Sequence, residues 1–174
     1  NVWGTAEEDA RRRDFTINGL FYDPKAGKVI DHVGGLEDLR AGRVRTIGEP
    51  EVRMAEDPVR ILRAVRFAAK LGFEFEPETF AAMKAHAPEI TRCASPRVLE
   101  EVLRLLRCGA SRAAFFVLDE IGALPHLVPP VADFLAKAEE GQIVRFYAHL
   151  DAMDERIHER KEPIDDAVLL ATLM

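Results

Sequence analysis

Two short segments hold the side chains best suited to binding chemistry: ARRRDFTIN (residues 10–18) and EDPVRILRAVRF (residues 56–67). In the second segment, an acid and three arginines recur every three residues. This spacing places them along one stripe of a helix that turns about 100° per residue. A row of guanidinium groups suits a polyphosphate, because arginine donates paired hydrogen bonds to phosphate oxygens. The four residues are Asp57, Arg60, Arg63 and Arg66.

A solvated helix face is the alternative for this stripe. Arg60 has acids three and four positions earlier, Asp57 and Glu56, as intrahelical partners. Arg63 and Arg66 have no acid at these spacings, so we expect an anion from outside the helix to relieve their repulsion. From spacing alone, an anion site and a plain surface remain equally open.

In the first segment, three consecutive arginines precede Asp14, and Asn18 follows four residues later. Consecutive arginines point in different directions on any regular element, so the run by itself favours a solvated turn. The apolar Phe15 and Ile17 lie between the polar residues and would anchor them beside buried packing.

Composition and charge limit the function classes. Hydrophobic residues make up 48% and charged residues 31% of the 174, as in globular proteins. The net charge is −6; residues 1–72 hold 13 Lys+Arg against 12 Asp+Glu, and residues 73–174 hold 11 against 18. Because broad attraction to nucleic acid needs excess positive charge, we expect any nucleotide or RNA to bind at local clusters.

Other features concern the setting of the chain. Two cysteines, Cys93 and Cys108, are too few for a disulfide framework and favour a reducing, cytoplasmic location. The five histidines are scattered and predict no metal site. The chain begins at Asn1 without a signal-like segment and stops within the apolar AVLLATLM, so we expect a fragment.

The residue pattern changes near residue 49. Before it, the β-prone KVIDH (28–32) and RVRTI (43–47) alternate with short helical pieces and glycines, which predicts the end of an α/β domain. After it, the period is helical, so the expected fold class is mostly α. Prolines, serines and glycines delimit the predicted helices at 57–71, 77–87, 96–108, 111–121, 131–140, 143–159 and 165–174.

In order, RRRDFTIN, VIDHVGGLEDLRAGRVRTIG and EDPVRILRAVRFAAKLGF resemble the class II branch of the polymerase-β-like nucleotidyltransferases. This branch includes the bacterial poly(A) polymerases and the CCA-adding tRNA nucleotidyltransferases. The resemblance is specific over residues 5–75 and weaker to about residue 130. It implies that residues 1–48 end a nucleotidyltransferase palm (head) domain, 49–110 form a helical neck with the nucleotide-selecting helix, and 111–174 form a truncated RNA-binding helical body.

The resemblance also implies roles for the two segments. The family's RRD motif handles the ribose and phosphate of the nucleotide, and the arginine before the aspartate contacts the nucleotide. This motif corresponds to Arg12, Arg13 and Asp14, and Asn18 also matches it.

The family's EDxxR motif corresponds to Glu56, Asp57 and Arg60. Its aspartate and arginine read the edge of the incoming base, and the two later arginines, here Arg63 and Arg66, approach the triphosphate. An acceptor beside a donor fits adenine or cytosine, whereas guanine and uracil would leave buried polar groups unpaired.

The implied reaction is template-independent transfer of AMP from ATP to RNA 3′ ends, with Mg²⁺ held by paired carboxylates in a D-x-D arrangement. This sequence contains no D-x-D and no Gly-Ser phosphate loop. We therefore expect catalytic and metal-binding residues outside this chain, ATP and Mg²⁺ only in the intact enzyme, and no activity from the chain alone.

Three alternatives differ in substrate or class. LFYDP, EDPVRILRAVRFAAKLGF and residues 95–129 favour a poly(A) polymerase over a CCA-adding enzyme, which shares the base-reading pair. The third alternative is a non-catalytic helical module that binds RNA or protein.

Three arginines flank one predicted helix, and two explanations are open for them. They lie either on a solvated face or in contact with the RNA 3′ end, in mRNA or tRNA. These residues are Arg97, Arg104 and Arg107.

Overall fold

The computed structural model describes residues 4–159 and 164–173, and it is mostly α-helical. Short 3₁₀ helices lie at Thr16–Asn18 and at Ala87–Arg92. The strands are β1 (Leu20–Asp23), β2 (Lys28–Asp31), β3 (Arg43–Val44) and β4 (Glu74–Phe75). The helices are α1 (Ala6–Arg12), α2 (Gly35–Ala41), α3 (Pro50–Glu56), α4 (Val59–Leu71), α5 (Pro77–His86), α6 (Ser95–Leu106), α7 (Ser111–Glu120), α8 (Leu124–Leu127), α9 (Pro129–Lys137), α10 (Glu140–Glu159) and α11 (Asp166–Ala171).

The N-terminal part contains small sheets and short helices. β1 and β2 form an antiparallel hairpin in which Leu20 pairs with Asp31. The Asp31 carboxylate then accepts the backbone N–H groups of residues 33–36 and so caps the start of α2. Position 35 requires glycine, because the Cβ of any other residue would lie 2.2 Å from the Thr16 carbonyl oxygen.

A parallel pair of strands joins this part to the helices. β3 pairs with β4, which follows α4, so that Val44 lies opposite Phe75. The predicted strand at 43–47 is therefore shorter than expected, and beyond it Thr46 makes only an isolated bridge to Phe15. The α/β remnant thus shares backbone hydrogen bonds with the segment beyond α4.

The helix predicted at 57–71 begins later than expected. Asp57 has an extended backbone (φ −149°, ψ 90°) between α3 and α4, and α4 starts at Val59. Pro58 explains the break, because the residue before a proline is driven out of helical geometry. Asp57 is therefore not on the arginine helix but just in front of it.

Another difference concerns the start of α6. Ser95 is the first helical residue, Ala94 occupies the cap position, and no side chain caps the helix. The expected start at Ser111 is correct, but its cap comes from α10: Asp154 accepts the N–H groups of Ser111 and Arg112 at 2.8 and 3.1 Å.

One hydrophobic core runs through the molecule. It begins with Phe15 and Val44 and continues along the buried face of α4 to α7, α10 and α11. The helices predicted at 131–140, 143–159 and 165–174 occur as α9, α10 and α11 with shifted ends. None of the helices in the described ranges is long and apolar enough to cross a membrane.

Candidate functional site

A pocket of about 760 Å³ lies where the end of α1, the start of α4 and one face of α6 meet. It brings together most of the residues that the two sequence segments predict for nucleotide binding. Arg66 is not among its lining residues, and neither is Arg107, which pairs instead with Asp166. The lining consists of Arg12, Arg13, Asp14, Asn18, Asp57, Val59, Arg60, Arg63, Phe67, Arg97, Glu100, Glu101 and Arg104.

Asp14 is the anchored carboxylate of the pocket, 9% exposed. Its Oδ1 accepts from the Asn18 amide at 2.9 Å, and its Oδ2 accepts from Arg63 Nε at 2.6 Å. Burial acts to raise the pKa of Asp14, but the Asn18 hydrogen bond and the Arg63 charge outweigh it and hold this pKa below its ordinary value. The carboxylate stays ionised and orients both neighbours.

Arg13 is held on three sides at the end of α1. Its guanidinium donates to Asp9 Oδ2 at 2.9 Å and to the Asn18 carbonyl oxygen at 2.6 Å. The Phe21 ring lies 4.6 Å below it, in a cation–π arrangement. Arg12, by contrast, is largely exposed at the pocket rim and pairs with Asp9. Of the three consecutive arginines, Arg13 is thus the least exposed.

Arg63 and Arg66 have anionic partners, as the sequence predicts, but these partners belong to the chain itself. Arg63 contacts Asp14, and its Nη1 lies 3.6 Å from Glu101 Oε1. Arg66 Nε lies 3.3 Å from Glu101 Oε2, and its guanidinium stacks 4.6 Å from the Phe67 ring. The expectation of an anion from outside the helix is met by carboxylates from distant parts of the chain, so these two arginines do not by themselves require a bound polyphosphate.

Asp57 and Arg60 line the same pocket but have different partners. Asp57 Oδ2 pairs with Arg97 Nη2 at 2.8 Å. Arg60 Nη1 donates to Glu56 Oε2 at 3.0 Å and to the Arg53 carbonyl oxygen at 2.6 Å. The side chains of Asp57 and Arg60 are thus oriented by contacts with other residues and not by contact with each other.

Sequence reasoning missed four of the residues that line the pocket, namely Val59, Phe67, Glu100 and Glu101. Glu101 is 5% exposed and contacts Arg63, Arg66 and Arg104. A signal for it existed, because it lies on the apolar stripe of α6, four residues before the buried Leu105. A charge on a buried helix face predicts an ion pair, although not its partner.

The pocket is positive within an acidic chain. Six arginines and four carboxylates line it, whereas the whole chain has a net charge of −6. Such local excess favours an anionic ligand. No group of three or more His, Cys, Asp or Glu in the described ranges could hold a metal ion.

Asp14 makes stability depend on pH in a defined direction. Its folded-state pKa is lowered, so its contribution is complete above its unfolded pKa, about 3.9, and is lost as pH falls through the folded value. We expect Asp14→Asn to reduce the free energy of unfolding by about 1–3 kcal/mol near neutral pH. Urea titrations across pH should show this difference shrinking below about pH 4. A difference that is constant or grows in acid would contradict the assignment.

Two family models match the chain. One, the poly(A) polymerase head domain, matches residues 2–45, and the other, the probable RNA and SrmB-binding site of polymerase A, matches residues 72–135.

Relatives and a solved structure extend this likeness. Poly(A) polymerase I of Escherichia coli O6:H1 is 42% identical over 159 residues, 91% of this chain and 34% of the relative. The multifunctional CCA protein of Nitrosomonas europaea is 43% identical over 129 residues, 73% of this chain and 30% of the relative. A crystal structure of a tRNA nucleotidyltransferase with a primer tRNA and an incoming ATP analog matches with TM-score 0.78 at 28% identity, covering 98% of this chain and 50% of that chain.

This chain therefore spans about a third of the length of its curated relatives. The two family models together match more than half of its residues, in the order that the sequence motifs predict. The two relatives named above are 42% and 43% identical to it over the aligned residues. The chain belongs to the family of bacterial poly(A) polymerases and CCA-adding tRNA nucleotidyltransferases.

Proposed function

We propose that the intact protein is a template-independent RNA nucleotidyltransferase that adds AMP from ATP to RNA 3′ ends, and that this chain supplies the nucleotide-selecting part. One observation carries the proposal: Arg12, Arg13 and Asp14 of the RRD motif line one positive pocket together with Asp57 and Arg60 of the EDxxR motif, far away in sequence. The volume of about 760 Å³ lies within the range of small-molecule sites.

Asp57 and Arg60 are the proposed readers of the base edge. A carboxylate accepts from the exocyclic amine of adenine or cytosine, and a guanidinium donates to the adjacent ring nitrogen. In guanine and uracil the corresponding groups are a carbonyl and a ring N–H, so both contacts would be mismatched. The side chains would then act in place of a template.

Arg13, Asp14, Asn18 and Arg63 are the proposed partners of the ribose and triphosphate, with Arg12 at the rim. Arg63 is one-third exposed even while it pairs with Asp14, which leaves it accessible to phosphate. Arg66 lies behind the lining, between Glu101 and Phe67. For Arg66 we propose a supporting role, in which it neutralises Glu101, rather than direct phosphate contact.

The described residues do not fit a catalytic Mg²⁺, because they form no cluster of metal ligands. We propose that Mg²⁺ and the carboxylates that hold it belong to a part of the intact enzyme outside this chain. The pocket residues of this chain would then bind and orient the nucleotide without contacting the metal through a ligand cluster of their own.

The RNA primer is proposed to enter beside Arg97 and Arg104. Both line the nucleotide pocket and are about half exposed. The solved relative that holds a primer tRNA together with an ATP analog supports joint binding of RNA and nucleotide, and the choice of Arg97 and Arg104 rests on their place in the pocket lining. Arg107 faces α11 through Asp166, so we do not assign it to RNA.

The domain division proposed from the sequence remains 1–48, 49–110 and 111–174. The pocket combines α1 from the first part with α4 and α6 from the second. This combination favours a nucleotide site over the alternative of a self-contained helical module for RNA or protein.

Poly(A) addition and CCA addition are distinguished by one experiment. The poly(A) polymerase relative covers 91% of this chain and the CCA relative 73%, which favours poly(A) addition. We expect the intact protein, given tRNA that lacks its terminal CCA, to add a run of AMP and little CMP. Sequencing of the extended 3′ ends checks this. Ordered addition of CMP, CMP and AMP would establish the alternative.

A further inference from the structure

Arg53 lies on α3 between the two motifs and belongs to neither of them. Its side chain is only 16% exposed, an unusual burial for an arginine. Its Nε is buried and has no hydrogen-bond partner in the described part of the chain. Packing alone therefore does not explain this side chain, since a buried polar group without a partner is unfavourable.

One side of Arg53 contacts the RRD motif. Its Nη2 donates to the carbonyl oxygen of Arg13 at 2.7 Å and to that of Arg12 at 3.2 Å. At Arg13 the chain leaves α1 and becomes extended. The last carbonyls of a helix lack partners within the helix, and a guanidinium satisfies them well. Arg53 thus fixes the backbone that orients Arg13 and Asp14.

The other side of Arg53 contacts the EDxxR motif. Its Nη1 donates to Glu56 Oε2 at 3.0 Å. Its own carbonyl oxygen accepts from Arg60 Nη1 at 2.6 Å, and the same Arg60 nitrogen donates to Glu56. A continuous set of hydrogen bonds therefore runs from the backbone at Arg13 to the guanidinium of Arg60.

We propose that Arg53 is a positioning residue, which sets the spacing between the group that holds ribose and phosphate and the arginine that reads the base. The proposal rests on the proposed function of this pocket. A lysine in its place offers a single ammonium, which cannot span the Arg13 carbonyl and Glu56 together as a planar guanidinium does. Small displacements of this kind lower catalytic efficiency strongly.

The test uses the intact protein with Arg53→Lys and Arg53→Ala. We expect Arg53→Lys to keep its melting temperature within about 3 °C and to lower kcat/KM for ATP about 10- to 100-fold. The preference for ATP over GTP should fall as well, because Arg60 loses its fixed position. Guanidinium at low, non-denaturing concentration should restore part of the activity of Arg53→Ala.

The matched control is Arg92→Ala. Arg92 is an exposed arginine that pairs with Glu89 on the 3₁₀ segment and is not among the residues that line the pocket. The Arg92→Ala substitution should leave kcat, KM and the preference for ATP over GTP unchanged.

Two results would overturn the positioning role. One is Arg53→Lys with kcat/KM and base preference within twofold of the parent. The other is an activity loss that simply follows the loss of folded protein, without rescue by guanidinium. If the parent enzyme adds nucleotide and Asp57→Ala loses base preference while Arg53→Lys is normal, only this inference fails. A parent that adds no nucleotide to RNA overturns both it and the proposed function.

Discussion

Replacing Asp57 with alanine in the intact protein is expected to abolish most of the preference for ATP over GTP and UTP. The carboxylate is the proposed acceptor for the exocyclic amine, and each lost or mismatched buried hydrogen bond changes discrimination by about 1–3 kcal/mol. This corresponds to roughly a 5- to 150-fold change in the ratio of kcat/KM values. Arg60→Ala should have a similar effect, because it removes the paired donor. Competitive incorporation from mixed nucleotides measures the ratio directly.

The ion pair between Asp57 and Arg97 requires its own control. If Asp57 acts only by holding Arg97, then Arg97→Ala should reproduce the loss of preference. We expect Arg97→Ala to retain base preference and to affect mainly the KM for RNA. Asp133→Ala, an exposed aspartate on α9, provides the neutral comparison. Full preference for ATP in Asp57→Ala would remove the base-reading assignment.

Replacing Glu101 with alanine should produce the largest loss of stability among single changes at this pocket. Glu101 is 5% exposed and contacts Arg63, Arg66 and Arg104. In the variant, Arg63 still pairs with Asp14, and Arg104 is about half exposed, so water can solvate it. Most of the lost stability therefore arises at Arg66, which is 16% exposed and loses its carboxylate partner. We expect the free energy of unfolding to fall by about 3 kcal/mol, the lower end for removing one partner of a buried pair.

Glu100→Ala is the matched control for Glu101→Ala. It lies on the same helix, is more than half exposed and, within the described residues, pairs with Arg104 alone, so its change should stay within about 0.5 kcal/mol. The double variant Glu101→Met, Arg66→Met should recover stability, because apolar side chains often replace a buried ion pair without cost. Urea denaturation measures these changes in the free energy of unfolding from the shift of the midpoint, provided that the dependence on urea concentration (the m-value) is unchanged. Equal effects of Glu100→Ala and Glu101→Ala would contradict the buried-pair account.

The elements of secondary structure were largely predictable from the sequence. Helical periodicity and its proline and glycine boundaries gave α5, α6, α7, α10 and the end of α4 at Gly72, where φ is +66°. These signals work because caps and turns depend on residues within about four positions. The errors also had local causes that were visible in advance, such as Pro58, which ends α3 and leaves Asp57 extended.

The candidate site was predictable in most of its members but not in its internal pairing. Residue types and motif order identified the six arginines that line the pocket and two of its carboxylates, Asp14 and Asp57, but not Glu100 or Glu101. The partners were not predictable, because Arg63 contacts Asp14 from 49 positions away and Arg66 contacts Glu101 from 35 positions away. Periodicity describes only one element at a time.

The sequence by itself determined the family, the helical class and the two segments that carry chemistry, because these depend on residue type and short-range spacing. Tertiary structure decided which charges neutralise one another and that Arg53 bridges the two segments. It also separated Arg66 and Arg107 from the pocket lining. The reason is physical: an ion pair depends on distance and burial in space, and the packing of α3, α4 and α6 against a common core sets both.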